Sequence, residues 1–197
     1  MFQRSVATLV TAILFIAAGH LTAAAAENPP KAEARQQAAA TILADIQQAT
    51  WIRDGKSAHV IYIFFDPNCP ACHKLYETLR PPVERGEVEL RWIPIGKLMT
   101  TSTGKAATLI EAKDPTEAFH QNERNFSRET GSFGGIEEEP APRADTLRRL
   151  NANHALLNRS GFDAVPALVF RTKDGQADFI RGAPPAAFLE KLLKDLE

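Results

Sequence analysis

The chain has 197 residues, with 23 basic and 24 acidic side chains and a formal net charge of −1. That length suits one domain with a substantial core. The near balance of charge, with no basic stripe or polybasic run, argues against nucleic acid or a lipid surface as the partner. Two cysteines, Cys69 and Cys72, are too few for a disulfide-stapled scaffold.

In chain order, the N-terminus comes first. "MFQR" is a short positive start, an apolar run follows from Ser5 to Ala18, and Ala24-Ala25-Ala26 offers a small-residue cleavage site. This is the layout of a secretory signal peptide, with cleavage expected after Ala26. The run is short for a membrane span, which needs about 20 apolar residues. Removing residues 1–26 takes away Arg4 and leaves 22 basic and 24 acidic residues.

Residues 27–50 read as a tether and a linker helix. Glu27 to about Ala34 is polar with two prolines, and "ARQQAAATILADIQQATWI" has Ile42, Ile46 and Trp51 near helical spacing. "RDGKS" is a turn. "HVIYIFFD" is an apolar run of strand length, expected to be buried on both faces. The helix "CPACHKLYETLR" follows and is expected to stop before Pro81-Pro82. "GEVELRWIPIG" reads as a strand with Val88, Leu90 and Trp92 alternating against charge.

From about 100 to 160 the pattern is helical. "GKAATLIEAKD" and "PTEAFHQNERNFSRE" are two helices, the second with Pro115 in its first turn. A third, "RADTLRRLNANHALLNRSG", closes at Gly161. "VPALVFRTKDGQADFIRG" reads as a hairpin around Lys173-Asp174-Gly175. "PPAAFLEKLLKDLE" is a last amphipathic helix. The expected fold is α/β: a mixed sheet with helices on its faces and an α-helical subdomain inserted between two halves.

The chemistry lies in "DPNCPACHK", Asp66 to Lys74. Cys-x-x-Cys-His is a haem-attachment string, and Cys-x-x-Cys alone is a thiol–disulfide redox motif. Haem usually needs a second axial ligand from afar; Met99, His120 and His154 are the candidates. Zinc usually takes four ligands, and one cysteine pair with one histidine falls short. A bridge across two residues removes little entropy from the unfolded chain, so a purely structural disulfide is a weak reason for the pair.

The setting favours redox. A buried strand feeds a helix whose N-terminus carries unpaired N–H groups and partial positive charge, which stabilises a thiolate there. Pro70 falls at the first helical position, where its missing N–H costs nothing. Cys69 is expected at an exposed tip as the attacking sulfur, and Cys72 a turn inside as the resolving one. His73 is expected to face solvent. Asp66 is either a like charge that raises the thiol pKa or a cap on the turn.

"IYIFFDPNCPACHKLYETLRPPVERGEVELRWIPIG" resembles the catalytic domain of the bacterial periplasmic disulfide isomerase family, DsbC and DsbG, and is most similar to the DsbG branch. The likeness extends through "WIRDGK", "STGKAATLIEAKDPTEAF" and "NHALLNRSGFDAVPALVF", from about Thr50 to Glu197. It implies a thioredoxin-like fold with an inserted α-helical subdomain, a catalytic domain over residues 51–197, and Cys69 and Cys72 as the catalytic redox disulfide. Pro70 and Ala71 would be the motif residues, with Val165 and Pro166 contacting substrate across a cis bond. The resemblance also implies unfolded or oxidised periplasmic proteins as substrates, a membrane thiol reductant resembling DsbD, and no cofactor or metal.

Two departures stand out. The family's N-terminal dimerisation domain has no counterpart in residues 27–50, so a monomer is expected. Valine stands at 165 where DsbC and DsbG carry threonine and the oxidase DsbA carries valine. The expected activity is disulfide isomerase or reductase, with a monomeric oxidase or reductase lacking isomerase selectivity as the alternative.

Overall fold

The computed structural model describes residues 29–129 and 133–197. The expected signal peptide therefore lies outside the described residues. Five strands form one sheet in the order β1-β3-β2-β4-β5. The strands are β1 (Ile52–Asp54), β2 (Val60–Phe65), β3 (Glu89–Pro94), β4 (Ala167–Arg171) and β5 (Ala177–Arg181). β2 and β3 run parallel, and the remaining pairs are antiparallel. Helices α1 (Pro29–Ala44), α2 (Pro70–Glu84) and α6 (Ala186–Leu193) accompany the sheet, while α3 (Ser102–Glu111), α4 (Pro115–Arg124) and α5 (Ala144–Asn158) fall between β3 and β4.

The central strand β2 is apolar almost throughout because both faces are covered. On one face Ile61, Ile63 and Phe65 join Leu90, Trp92, Leu168 and Phe170 beneath Leu75 and Leu79 of α2, Leu189 of α6 and Phe119 of α4. On the other, Tyr62, Phe64, Ile93, Val169 and Phe179 meet Ala39 and Ile42 of α1 and Leu156 and Leu157 of α5. The period of two along each strand sorts these residues.

Several expectations change on contact with the structure. The N-terminal helix starts at Pro29 and ends at Ala44; a single turn of 3₁₀ helix spans Ile46–Gln48, and Ile52 begins a strand. The three residues of β1 carry too little pattern to be read alone. They pair with Leu90–Trp92, and Asp54 is buried where Arg80 and the Trp92 indole N–H reach its carboxylate. α2 does not stop before Pro81-Pro82 but runs to Glu84. Proline's fixed φ is itself helical, and burial of Pro82 and Val83 against the core holds the last turn despite the missing N–H groups. β3 does not alternate. Glu89 is buried, with Arg91 Nε at 2.8 Å from its Oε1, so charge is accommodated on the inner side by pairing.

Candidate active site

Parallel β2 and β3 end on the same side of the sheet, and antiparallel β4 begins there. That end therefore gathers the loop Asp66–Cys69, the loop after β3, and Val165-Pro166. Asp66 organises the first two. Its Oδ1 accepts from the Asn68 N–H at 3.0 Å and the Ser102 hydroxyl at 2.7 Å; its Oδ2 accepts from the N–H groups of Lys97 and Leu98 at 2.6 and 2.8 Å. Asp66 is thus the cap on the turn, and its charge is the last and smallest of the influences on Cys69.

Asn68 ties the same turn to the helical insert. Its amide donates to Thr101 Oγ1 and Ser102 Oγ, both at 3.0 Å, while its carbonyl accepts from the Gly134 N–H at 3.0 Å. Asn122 of α4 donates to Pro67 O at 3.1 Å, and Lys105 Nζ donates to Gly134 O. A Cβ at residue 134 would stand 2.4 Å from both Asn122 Oδ1 and Pro67 O, so only glycine allows this approach.

Cys69 is the N-cap of α2, and Pro70 opens the helix. The Cys72 N–H donates to Cys69 Sγ at 3.2 Å. The Cys72 thiol, hydrogen-bonded to Cys69 Sγ, lowers the Cys69 pKa most; burial opposes it, and the backbone N–H groups of Cys72 and Ala71 add to the lowering. The Cys72 thiol is pushed well above its ordinary value, chiefly by burial, then by its hydrogen bond with Cys69 and by the Cys69 and Glu123 charges. The two cysteines therefore differ in the sense that an attacking and a buried sulfur require. They are unbridged.

The expected exposure of Cys69 needs correcting. It is 4 % exposed, less than a tip position would give. The reason is Val165, whose carbonyl oxygen lies 3.8 Å from Cys69 Sγ. The Val165-Pro166 bond is cis. Val165 is half-buried and Pro166 buried; Pro70 is half-buried and Ala71 exposed.

His73 does not face solvent as expected. Its ring stacks on Phe126 at 4.3 Å between centroids, and its Nδ1 lies 2.9 Å from Glu123 Oε2. Phe126 and Glu123 come from the insert, which no pattern local to the cysteine motif foretold. Among the described residues no group of three or more His, Cys, Asp or Glu could hold a metal ion.

Residues 46–197 match the family described as the Thioredoxin-like domain. The chain belongs to the thioredoxin-like domain family. Among relatives, it is 33% identical over 150 residues to the thiol:disulfide interchange protein DsbG of Pseudomonas aeruginosa, covering 75% of this chain and 57% of that protein. It is 28% identical over 143 residues to DsbG of Escherichia coli K12, covering 71% of this chain and 55% of that one. The chain thus spans little more than half the length of these curated relatives. The catalytic domain of Proteus mirabilis ScsC superposes with a TM-score of 0.61 at 21% identity, covering 79% of this chain and 96% of that one. The thioredoxin-like fold is thereby established, with helices α3 to α5 between its two halves. Attachment of a haem finds no support in any of these likenesses.

Proposed function

We propose that this thioredoxin-like protein is an exported thiol–disulfide interchange protein of the DsbG type, working through Cys69 and Cys72. The observation that carries the reading is the asymmetry of the pair: Cys69 Sγ accepts the Cys72 N–H at the mouth of a helix, while Cys72 sits 1 % exposed with its thiol held protonated. Cys69 attacks a substrate cystine; Cys72 or a substrate thiol then releases the mixed disulfide, giving reduction or isomerisation. Val165 O, beside the attacking sulfur, offers a backbone acceptor to an extended substrate segment. The reading, supported by likeness to proteins named thiol:disulfide interchange protein DsbG, places the chain in the periplasm. It takes residues 1–26 as the cleaved export signal, unfolded or oxidised exported proteins as substrates, and a membrane thiol reductant resembling DsbD as electron source.

The reading includes a monomer. Ile42 is fully buried and Ile46 nearly so against the chain's own Tyr62, Phe64 and Phe179. That leaves little apolar surface on α1 for the roughly 800 Å² per partner of a standard interface.

The test is a pair of serine variants. Cys72→Ser accumulates mixed disulfides with exported proteins, visible on non-reducing gels, because attack proceeds and resolution does not. Cys69→Ser accumulates none and has no exchange activity. Trapped adducts on Cys69→Ser alone would reverse the roles; none on either would defeat the reading.

A further inference from the structure

Glu123 is a buried carboxyl group, 2 % exposed, that the cysteine chemistry above does not use. Its Oε2 lies 2.9 Å from His73 Nδ1, and its Oε1 accepts from Asn122 Nδ2 at 3.0 Å. His73 is the residue directly after Cys72, in the first turn of α2, and its ring is pinned by Phe126. The insert therefore delivers an acid to His73, the chain neighbour of the resolving cysteine, and fixes it there from two sides. The other charged groups facing this spot are few. Glu77 of α2 lies 3.8 Å from His73 Nε2, and Cys69 borders Cys72 from the turn, where the Asp66 backbone also hydrogen-bonds to Cys72 and opposes the rise of its thiol.

We propose that Glu123 holds back the ionisation of Cys72 and so lengthens the life of the mixed disulfide on Cys69, biasing the protein toward isomerisation. This rests on the thiol–disulfide reading of the two cysteines. In the mixed disulfide, Cys69 Sγ is bonded to a substrate sulfur and carries no charge. Its influence on Cys72 is gone, and Glu123, which acts on Cys72 in its ionised form, remains as the neighbouring carboxyl group. Two nucleophiles then compete. If the Cys72 thiolate attacks Cys69 Sγ, the Cys69–Cys72 bond forms, the substrate leaves as a thiolate, and the proton from Cys72 passes to solvent: the substrate is reduced and the enzyme oxidised. If a second substrate thiolate attacks the substrate sulfur, the substrate gains a rearranged disulfide and Cys69 departs as a thiolate. Anything that delays the first route gives time to the second.

Burial raises the Glu123 carboxyl against the pull of His73 and Asn122, and Glu123 in turn adds to the raised Cys72 thiol. Well below the thiol pKa, each unit by which that pKa falls gives about tenfold more thiolate. Intrinsic nucleophilicity drops with a Brønsted slope of about 0.4–0.5, leaving a net gain of roughly threefold per unit.

Reduced full-length protein is mixed rapidly with oxidised glutathione at fixed pH, quenched with acid, and followed by mass. The first step forms the Cys69–glutathione adduct and serves as the internal reference; the second releases glutathione by attack of Cys72. Glu123→Gln, which keeps the shape, is expected to accelerate the second step by about threefold or more for each unit by which the Cys72 pKa falls. Alkylation of Cys72 against pH in a Cys69→Ser background reads that fall directly. Glu123→Met, which removes the charge and keeps a side chain of similar size, is expected to act in the same direction, which settles the matter if Glu123→Gln fails to fold. A second step slowed by Glu123→Gln would instead make Glu123 the acceptor of the Cys72 proton and overturn the proposal. No change in both variants would overturn it too. Formation of neither the glutathione adduct nor the Cys69–Cys72 disulfide in the unaltered protein would defeat the thiol–disulfide reading, and this proposal with it.

Discussion

On the sheet face covered by α1 and α5, aromatic and aliphatic side chains meet one another directly: Phe64 and Phe179 against Ile42 and Leu157. Its buried Asn153 serves the backbone, donating to Thr50 O and Pro94 O and accepting from the Thr50 N–H. The α2 face is mixed. Beside Phe65, Trp92 and Phe119 it buries Asp54, and its active end adds Asp66, Asn68, Ser102, Asn122 and Glu123. Buried polar groups are tolerated where they find partners: Asp54 is met by Arg80 of α2 and Trp92 of β3, and at the active end the partners come from the turn, the loop after β3 and the insert, with Asn122 Oδ1 left without one among the described residues. The contrast separates two tasks. One face supplies cohesion that is indifferent to sequence detail; the other holds a reactive sulfur in a defined field through bonds that cannot slip.

The sharpest way to break this division is Phe64→Ala. Phe64 is fully buried, and large-to-small changes of this kind cost about 3–5 kcal/mol. Urea unfolding should show that loss, while the pH midpoint of Cys69 alkylation in the folded protein stays in place. A moved midpoint would mean that the two faces are not separate in this sense.

Asn68→Ala probes the other side. It strands the Gly134 N–H and removes two bonds to the loop after β3, which points to a loss of about 2 kcal/mol. Here the alkylation midpoint should rise, because the turn that presents the Cys72 N–H to Cys69 is no longer held. Unfolding without that rise would show Asn68 to be structural only.

The smallest effect is the pH dependence of stability. Cys69 has a folded pKa below its unfolded one, so its ionisation contributes stability that is fully present above the unfolded value, about 8.5. It is lost as pH falls through the folded pKa. The reduced protein should therefore gain on a Cys69→Ser reference as pH rises across that window, by parallel urea titrations. A difference that is flat with pH would remove the depressed pKa from the account.

How much of this was legible in the chain varies with distance along it. β2, the hairpin β4–β5 and α6 follow from their own composition. The pair Cys69 and Cys72, with Pro70 at the first helical position, is readable because cap chemistry is local. Strand β1 was not, since three residues cannot display a period and Trp51-Ile52 suits a helix equally well. Nor could the continuation of α2 through Pro81-Pro82 be read, because tertiary burial of Pro82 and Val83 overrides a local breaker. Glu123 lies in "HQNERNF", a polar run that gives no sign of burial. What buries it is the stack of His73 on Phe126 and the closure of the insert, contacts between residues about fifty apart.

The tie between Asn68 and Gly134 joins positions 66 residues apart. Contacts of such separation form late, since the intervening chain must lose its freedom before they reward it. Of the neighbours of β2, only β3 pairs across a shorter stretch of chain, from Val60 to Glu89, and can do so while the cysteine turn is still loose. The turn that presents Cys69 is then held from outside only once the chain returns at Gly134, so a nascent copy carries its redox motif on an untethered turn until the insert has been made.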